Sequence, residues 1–269
     1  MADGAQGRAE VVGLLKRHGV LPAKRLGQNF LVDPNVTRKI VRLAGVGAGD
    51  RVMEVGAGTG TLTRELAATG AGVVAYEVDD RLRPLLSEVL GGFDNVEVRF
   101  ADAATADFAG GPWTVVANLP YYLSTTLLLD WLQAGPEPSR LIVMVQREVA
   151  ERLAAGPGSR TYGIPSVIAR LHGAASVAFR VPATVFYPQP EVESAVVEVV
   201  RHRPAPHAAT AARLATAAFG QRRKMLRRSL AETLGDAAPV LIAAGIDPSS
   251  RPEELDVDSF LALAEVVDG

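Results

Sequence analysis

A β-branched run that ends in an acid and then breaks into three glycines at alternate positions, Val52-Met-Glu-Val-Gly-Ala-Gly-Thr-Gly-Thr61, constrains this chain more than any other segment. Glycine at these positions lets the backbone turn sharply and approach a ligand, so the pattern predicts a strand, a tight turn and a helix. From Asp50 onward the same alternation recurs. Short apolar runs at Arg51 to Val55, Val73 to Tyr76, Val96 to Phe100, Thr114 to Ala117 and Arg140 to Val145 read as strands. They are separated by helical stretches at Thr61 to Thr69, Arg81 to Leu90, Thr125 to Gln133 and Glu148 to Ala155. Five strands with crossover helices predict an α/β, doubly wound, mostly parallel sheet whose ligands sit at the carboxyl ends of the strands. Ser176 to Arg180 and Ser194 to Val200 read as two more strands, an antiparallel finish to the sheet.

Arg203-Pro-Ala-Pro206 interrupts this pattern, and helices are expected beyond it near Thr210 to Phe219, Lys224 to Thr233, Ala237 to Ala244 and Val257 to Val266. The expected organisation is a loose N-terminal arm with a short helix at residues 1–21, a sheet domain at 22–203 and a small helical domain at 204–269. A chain of 269 residues has room for this. With 48% hydrophobic and 22% charged residues and mean hydropathy of +0.15, it reads as soluble and globular. Its longest apolar runs, such as Leu141 to Val145, are far too short to cross a bilayer. The opening MADGAQGRAE lacks the apolar stretch of a secretory leader. There is no cysteine, and the four histidines show no ligand spacing, so no metal is expected and the cytoplasm is the expected compartment.

Glycines alone are equally compatible with a nicotinamide dinucleotide. Glu54, two residues before Gly56, argues otherwise, because an acid there would repel a pyrophosphate and suit a cationic, hydroxyl-bearing ligand. S-adenosylmethionine has a sulfonium, an ammonium and a ribose, and no phosphate. Glu77 at the end of the second strand is placed to take the ribose hydroxyls, and Asp102 after the third to accept the adenine amino group.

Directly after the fourth strand comes Val116-Ala-Asn-Leu-Pro-Tyr-Tyr-Leu-Ser124. The lone pair of adenine N6 is delocalised into the ring, so an enzyme that alkylates it must rehybridise it. The Asn118 carbonyl and a backbone carbonyl next to Pro120 would accept its two N–H bonds, and Tyr121 would stack on the base, worth about 1 to 3 kcal/mol. Positioning is the main requirement, and no strong base is needed.

Together these segments resemble the bacterial small-subunit (16S) ribosomal RNA adenine N6,N6-dimethyltransferases, over roughly Leu21 to Val266. The likeness rests on Lys24-Arg-Leu-Gly-Gln-Asn-Phe-Leu31, Glu54 to Gly60, Asp102-Ala103, Asn118-Leu-Pro-Tyr121, Met144 to Leu153, Pro157-Gly-Ser159 with Tyr162-Gly163, Phe186-Tyr-Pro-Gln-Pro190 with Val192 to Val197, and Gln221-Arg-Arg-Lys224 with Leu226-Arg227. It implies a Rossmann-like S-adenosylmethionine-dependent methyltransferase sheet, with the cofactor held by Asn29, Leu31, Gly56, Glu77, Asp102 and Asn118. It also implies a target adenine held by Asn118 and Tyr121, with Phe186 on its other face. Two positions depart from the family pattern. Tyr122 stands where Asn is usual, beside the turn that accommodates the base or its monomethylated form, and the glycine loop reads Gly56-Ala-Gly58 where Gly-Pro-Gly is common.

The net charge of −2 conceals a segregation of charge. Residues 1–48 hold 8 basic and 3 acidic residues, 49–120 hold 5 and 11, and His207 to Glu232 hold 6 and 1. Lys16, Arg17, Lys24, Arg25, Arg38, Lys39 and Arg42 suit one side of an RNA groove, and Arg222, Arg223, Lys224, Arg227 and Arg228 another. A buried base must also be extruded to reach Tyr121. The expected activity is transfer of methyl groups to N6 of two adjacent adenines of 16S rRNA in a pre-30S particle, by a monomer. The rivals are a 23S rRNA adenine methyltransferase of the macrolide-resistance type, a ribosome-assembly RNA-binding factor that has lost catalysis, and, more distantly, a nicotinamide dehydrogenase.

Overall fold

The computed structural model describes residues 7–109, 111–133 and 137–269. In chain order its elements are α1 (Arg8–Arg17), β1 (Phe30–Leu31), α2 (Pro34–Ala44), β2 (Arg51–Val55), α3 (Thr61–Ala67), β3 (Gly72–Glu77), α4 (Arg83–Leu90), β4 (Val96–Phe100), β5 (Thr114–Asn118), α5 (Ser124–Gln133), β6 (Arg140–Gln146) and α6 (Arg147–Ala154). There follow α7 (Ile164–His172), β7 (Gly173–Val181), β8 (Phe186–Tyr187), β9 (Ser194–Arg201), α8 (Ala208–Gly220), α9 (Leu226–Ser229), α10 (Ala231–Leu234), α11 (Ala237–Ala243) and α12 (Val257–Asp268).

Seven strands form one sheet in the order β4-β3-β2-β5-β6-β9-β7. The pairings of β2 with β3 and β5, of β3 with β4, and of β5 with β6 are parallel. The order runs outward in both directions from β2, so the switch point, where doubly wound sheets hold ligands, lies between β2 and β5. The expected strands are all present. The expected helix at Lys224 to Thr233 is instead two four-residue helices, α9 and α10.

The chain divides into two compact units: residues 1–128, 137–150 and 177–198, and residues 129–136, 151–176 and 199–269. The expected cut at 203 lies near the observed division after 198, but α7 and the second half of α6 also belong to the helical unit.

In the first unit, α1 is not part of a loose arm. Val11, Leu14 and Leu15 are buried in the same apolar cluster as Val52, Val73 and Val116 of the sheet. The guanidinium of Arg8 donates to the carbonyls of Thr184 (2.6 Å) and Phe186 (2.8 Å). Residues 1–6 of the expected arm lie outside the described residues. α2 carries full start and stop signals: the Asp33 carboxylate accepts from the Asn35 and Val36 N–H groups, Pro34 opens the first turn, and Gly45 ends the helix at φ 61°. Its last carbonyls, of Leu43 and Ala44, accept from Arg140, which also pairs with Glu198. A two-stranded antiparallel ribbon pairs Phe30 with Tyr187 and Leu31 with Phe186.

In the helical unit Tyr162 is fully buried, donates its hydroxyl to the Leu255 carbonyl (2.9 Å) and meets Phe219 edge-on at 5.7 Å, with Phe260 beyond at 6.3 Å. Each such side chain withdrawn from water stabilises its unit by about 1.5 to 3 kcal/mol. Among the described residues no helix is long and apolar enough to cross a membrane.

Candidate active site

The strand order sets the carboxyl ends of β4, β3, β2 and β5 side by side, and each delivers one element of a cleft within the first unit. β2 delivers the glycine loop. The N–H groups of Gly56 and Ala57 both donate to the Tyr76 carbonyl, tying the loop to β3. Gly56, Gly58 and Gly60 have φ of 79°, 57° and 76°, a region other residues seldom enter. A Cβ on Gly58 would stand 3.1 Å from the Phe30 ring, and one on Gly60 would stand 3.0 Å from Val89 of α4, so the loop has no room for side chains here.

β3 delivers Glu77, whose Oε2 accepts from the Gly58 N–H (2.8 Å) and whose Oε1 accepts from the N–H groups of Val78 and Asp79 (both 2.9 Å). Burial pushes its pKa up, and these three donors pull against that. A carboxylate offers about four lone-pair sites, so one, on Oε2, stays open to a ligand hydroxyl. β4 leads to Asp102, exposed, whose Oδ1 accepts from the Ala104 N–H (2.9 Å).

β5 ends in Asn118, whose Nδ2 donates to the Asn29 carbonyl (3.0 Å). That bond fixes the carboxamide with Oδ1 as its remaining acceptor. In the next residues the Pro120 carbonyl accepts from the Leu123 N–H, and the Tyr121 carbonyl from the Ser124 hydroxyl. The Leu119 carbonyl has no protein partner among the described residues, making it the second acceptor of the turn. The Tyr121 hydroxyl is bonded to Ser194 Oγ (2.8 Å), which holds the ring against the cleft.

The cleft contains about 970 Å³ of empty space, its open mouth included. It gathers Asn29, Gly56, Glu77, Asp102, Asn118 and Tyr121 as expected. Leu31 and Phe186 do not line it. Phe186 is 0% exposed, and both are packed in the β1–β8 ribbon, so of the expected aromatic sandwich only the Tyr121 side is present.

Glu54 also departs from expectation. It is 1% exposed, does not line the cleft and has an Oε2 without a partner. Burial pushes its pKa up to about 8, which favours the neutral acid and makes it a poor counter-charge for a ligand.

Two wall residues were given no role from sequence, Gln28 inside a quoted motif and Val78 next to Glu77. Gln28 ties the loop before β1 to the turn after β3 by donating to Asp79 (2.8 Å). Asp79 is held down at about 2, chiefly by Arg81. Val78 presents an exposed apolar surface beside Glu77.

The basic residues divide as well. Lys24, Arg25, Arg223, Lys224, Arg227 and Arg228 are exposed. Arg222, by contrast, is committed to Glu253 (2.6 Å) and the Arg160 carbonyl. Arg17 pairs with Glu88 (2.7 Å) and Lys39 lies 3.9 Å over the Phe179 ring, so neither stands ready for phosphate.

No Lys, Arg or His lines the cleft among the described residues, while two carboxylates do. Such a lining suits a cation better than a pyrophosphate, and with the doubly wound sheet it fits the Rossmann-like methyltransferases. Solved structures agree. The chain is similar to the 23S rRNA methyltransferase ErmE, with 27% identity and TM-score 0.72 over 90% of this chain and 100% of that one. It shares its fold with a dimethyladenosine transferase from Plasmodium falciparum, with 24% identity and TM-score 0.76 over 87% of this chain and 95% of that one.

The family described as Ribosomal RNA adenine dimethylase matches residues 22–268, and the chain belongs to it. Similar curated proteins include Ribosomal RNA small subunit methyltransferase A of Phenylobacterium zucineum (strain HLK1), 49% identical over 93% of this chain and 90% of the relative. The same-named protein of Enterococcus faecalis (strain ATCC 700802 / V583) is 42% identical over 95% and 93%.

Proposed function

We propose that this chain transfers methyl groups from S-adenosylmethionine to N6 of two adjacent adenines of 16S rRNA in an assembling small subunit, giving N6,N6-dimethyladenosine. The observation that carries the reading is the Asn118 carboxamide in the cleft wall, anchored through its nitrogen to the Asn29 carbonyl with its oxygen left as an acceptor. A polar turn with two open acceptors, Asn118 Oδ1 and the Leu119 carbonyl, suits an exocyclic amine with two N–H bonds. Accepting both concentrates the lone pair on N6. When bound, S-adenosylmethionine supplies a methyl group on a sulfonium. Asn118 and the Leu119 carbonyl would hold the amine as it gains the methyl group and its positive charge, and the N6 proton would then leave to water. Tyr121, fixed by Ser194, supplies a stacking face.

Glu77 and Asp102 are the residues that would hold the cofactor's ribose and adenine, with Gly56 admitting it close to the backbone and Asn29 beside it. The exposed Lys24, Arg25, Arg223, Lys224, Arg227 and Arg228 are assigned to RNA phosphates, and the helical segment 204–269 to RNA recognition. The setting is the cytoplasm, and the chain acts as a monomer. Identity of 42–49% to small-subunit enzymes, against 27% to the 23S enzyme, favours the small subunit as target. The test offers immature 30S particles and protein-free 23S RNA to the enzyme. Methylation of the particles is expected, and methylation of 23S RNA alone would overturn the assignment.

A further inference from the structure

Two neighbouring tyrosines of the β5 turn are held in opposite ways. Tyr121 is half-buried and bonded to Ser194. Tyr122 is 60% exposed at the cleft mouth, and its hydroxyl has no protein partner among the described residues. Its ring nevertheless has a defined seat. The ring atoms Cδ1 and Cε1 lie 3.4 and 3.5 Å from where a Gly27 Cβ would stand, and Gly27 has none. Gly27, at φ 63°, caps the short turn that presents Lys24 and Arg25, both exposed and unpaired among the described residues. A large ring braced on one edge and open to water, continuous with a base-sized cleft and set beside two free cations, matches the way proteins hold unpaired nucleic acid: bases stack on aromatics while cations track the phosphates.

We propose that Tyr122, flanked by Lys24 and Arg25, is the platform on which the nucleotide adjoining the target adenosine stacks, making it a specificity-determining residue for which strand conformation can feed the cleft. This rests on the methyl-transfer reading of the cleft. One base–aromatic contact corresponds to about a tenfold change in affinity. The phenol hydroxyl contributes nothing to it.

The probe is a single-stranded oligoribonucleotide with one central adenosine and 2-aminopurine beside it, whose fluorescence is quenched by stacking. Wild-type protein should quench it. Tyr122→Ala should abolish the quenching and weaken binding about tenfold, while Tyr122→Phe, which keeps the ring, should rescue both. The substituted side chain is exposed, so an unchanged melting temperature accompanies each variant. Equal quenching and affinity in Tyr122→Ala would overturn the platform. Methylation of immature small subunits by the wild type is measured in parallel. Quenching without any methylation would strike the functional reading and leave the platform standing, and methylation without quenching would do the reverse.

Discussion

With one N–H of its carboxamide given to the Asn29 carbonyl, Asn118 keeps its oxygen as a free acceptor, the feature on which the proposed reading of the turn rests. Asn118→Ala should lower kcat by about 100-fold or more, the usual cost of a lost transition-state partner, while cofactor affinity stays within about tenfold. Isothermal titration beside single-turnover rates would show it, and an unchanged rate would remove Asn118 from the chemistry. Glu54 makes a second prediction. Its pKa in the folded protein is about 8 against the ordinary 4.5. Between those values the folded chain keeps a proton that the unfolded chain has shed, so stability is lost as pH rises from 4.5 through 8. Glu54→Gln should flatten the dependence of melting temperature on pH between 5 and 8 and exceed the wild type at pH 8. Parallel curves would show that Glu54 is ionised in the fold. The sequence made both residues visible but suggested a role that the fold leaves in place for only one. Asn118 has its role written in the turn that follows it, whereas the charge of Glu54 depends on the packing around it, which a linear pattern does not express.

At the scale of elements, the alternation of β-branched runs and helical stretches was legible because each strand is long enough to show it. β1 and β8 have two residues each and no period to read, and Leu31 and Phe186, which the family resemblance assigned to the cofactor and the base, are the facing pair of a ribbon. That ribbon is clamped by Arg8 from α1 and sets the position of Asn29, which in turn holds Asn118. α2 carries an equally readable cap, proline and terminal glycine. Phe186→Ala should therefore lower stability by about 3 to 5 kcal/mol, the cost of emptying a core aromatic site. Denaturant unfolding checks this. A variant as stable as the wild type but impaired in RNA binding would return Phe186 to the base.

Across the whole molecule, the segregation of charge was readable in the sequence, whereas the ion pairs that neutralise part of it were not. Arg222 and Arg17 are taken by Glu253 and Glu88, partners 31 and 71 positions away. Within the basic cluster at 221–228 four exposed cations remain: Arg223, Lys224, Arg227 and Arg228. Each phosphate contact adds about 0.7 to 0.9 to the slope of log affinity against log salt. Changing all four to Gln should therefore flatten that slope by about 3 in filter-binding titrations, and an unchanged slope would mean that the RNA lies elsewhere.

The most direct test is nucleoside mass spectrometry of immature small subunits incubated with S-adenosylmethionine and either wild-type protein or Asn118→Ala. N6,N6-dimethyladenosine should accumulate with the wild type and stay at background with the variant. Equal accumulation with both proteins, or none with the wild type, would contradict the reading.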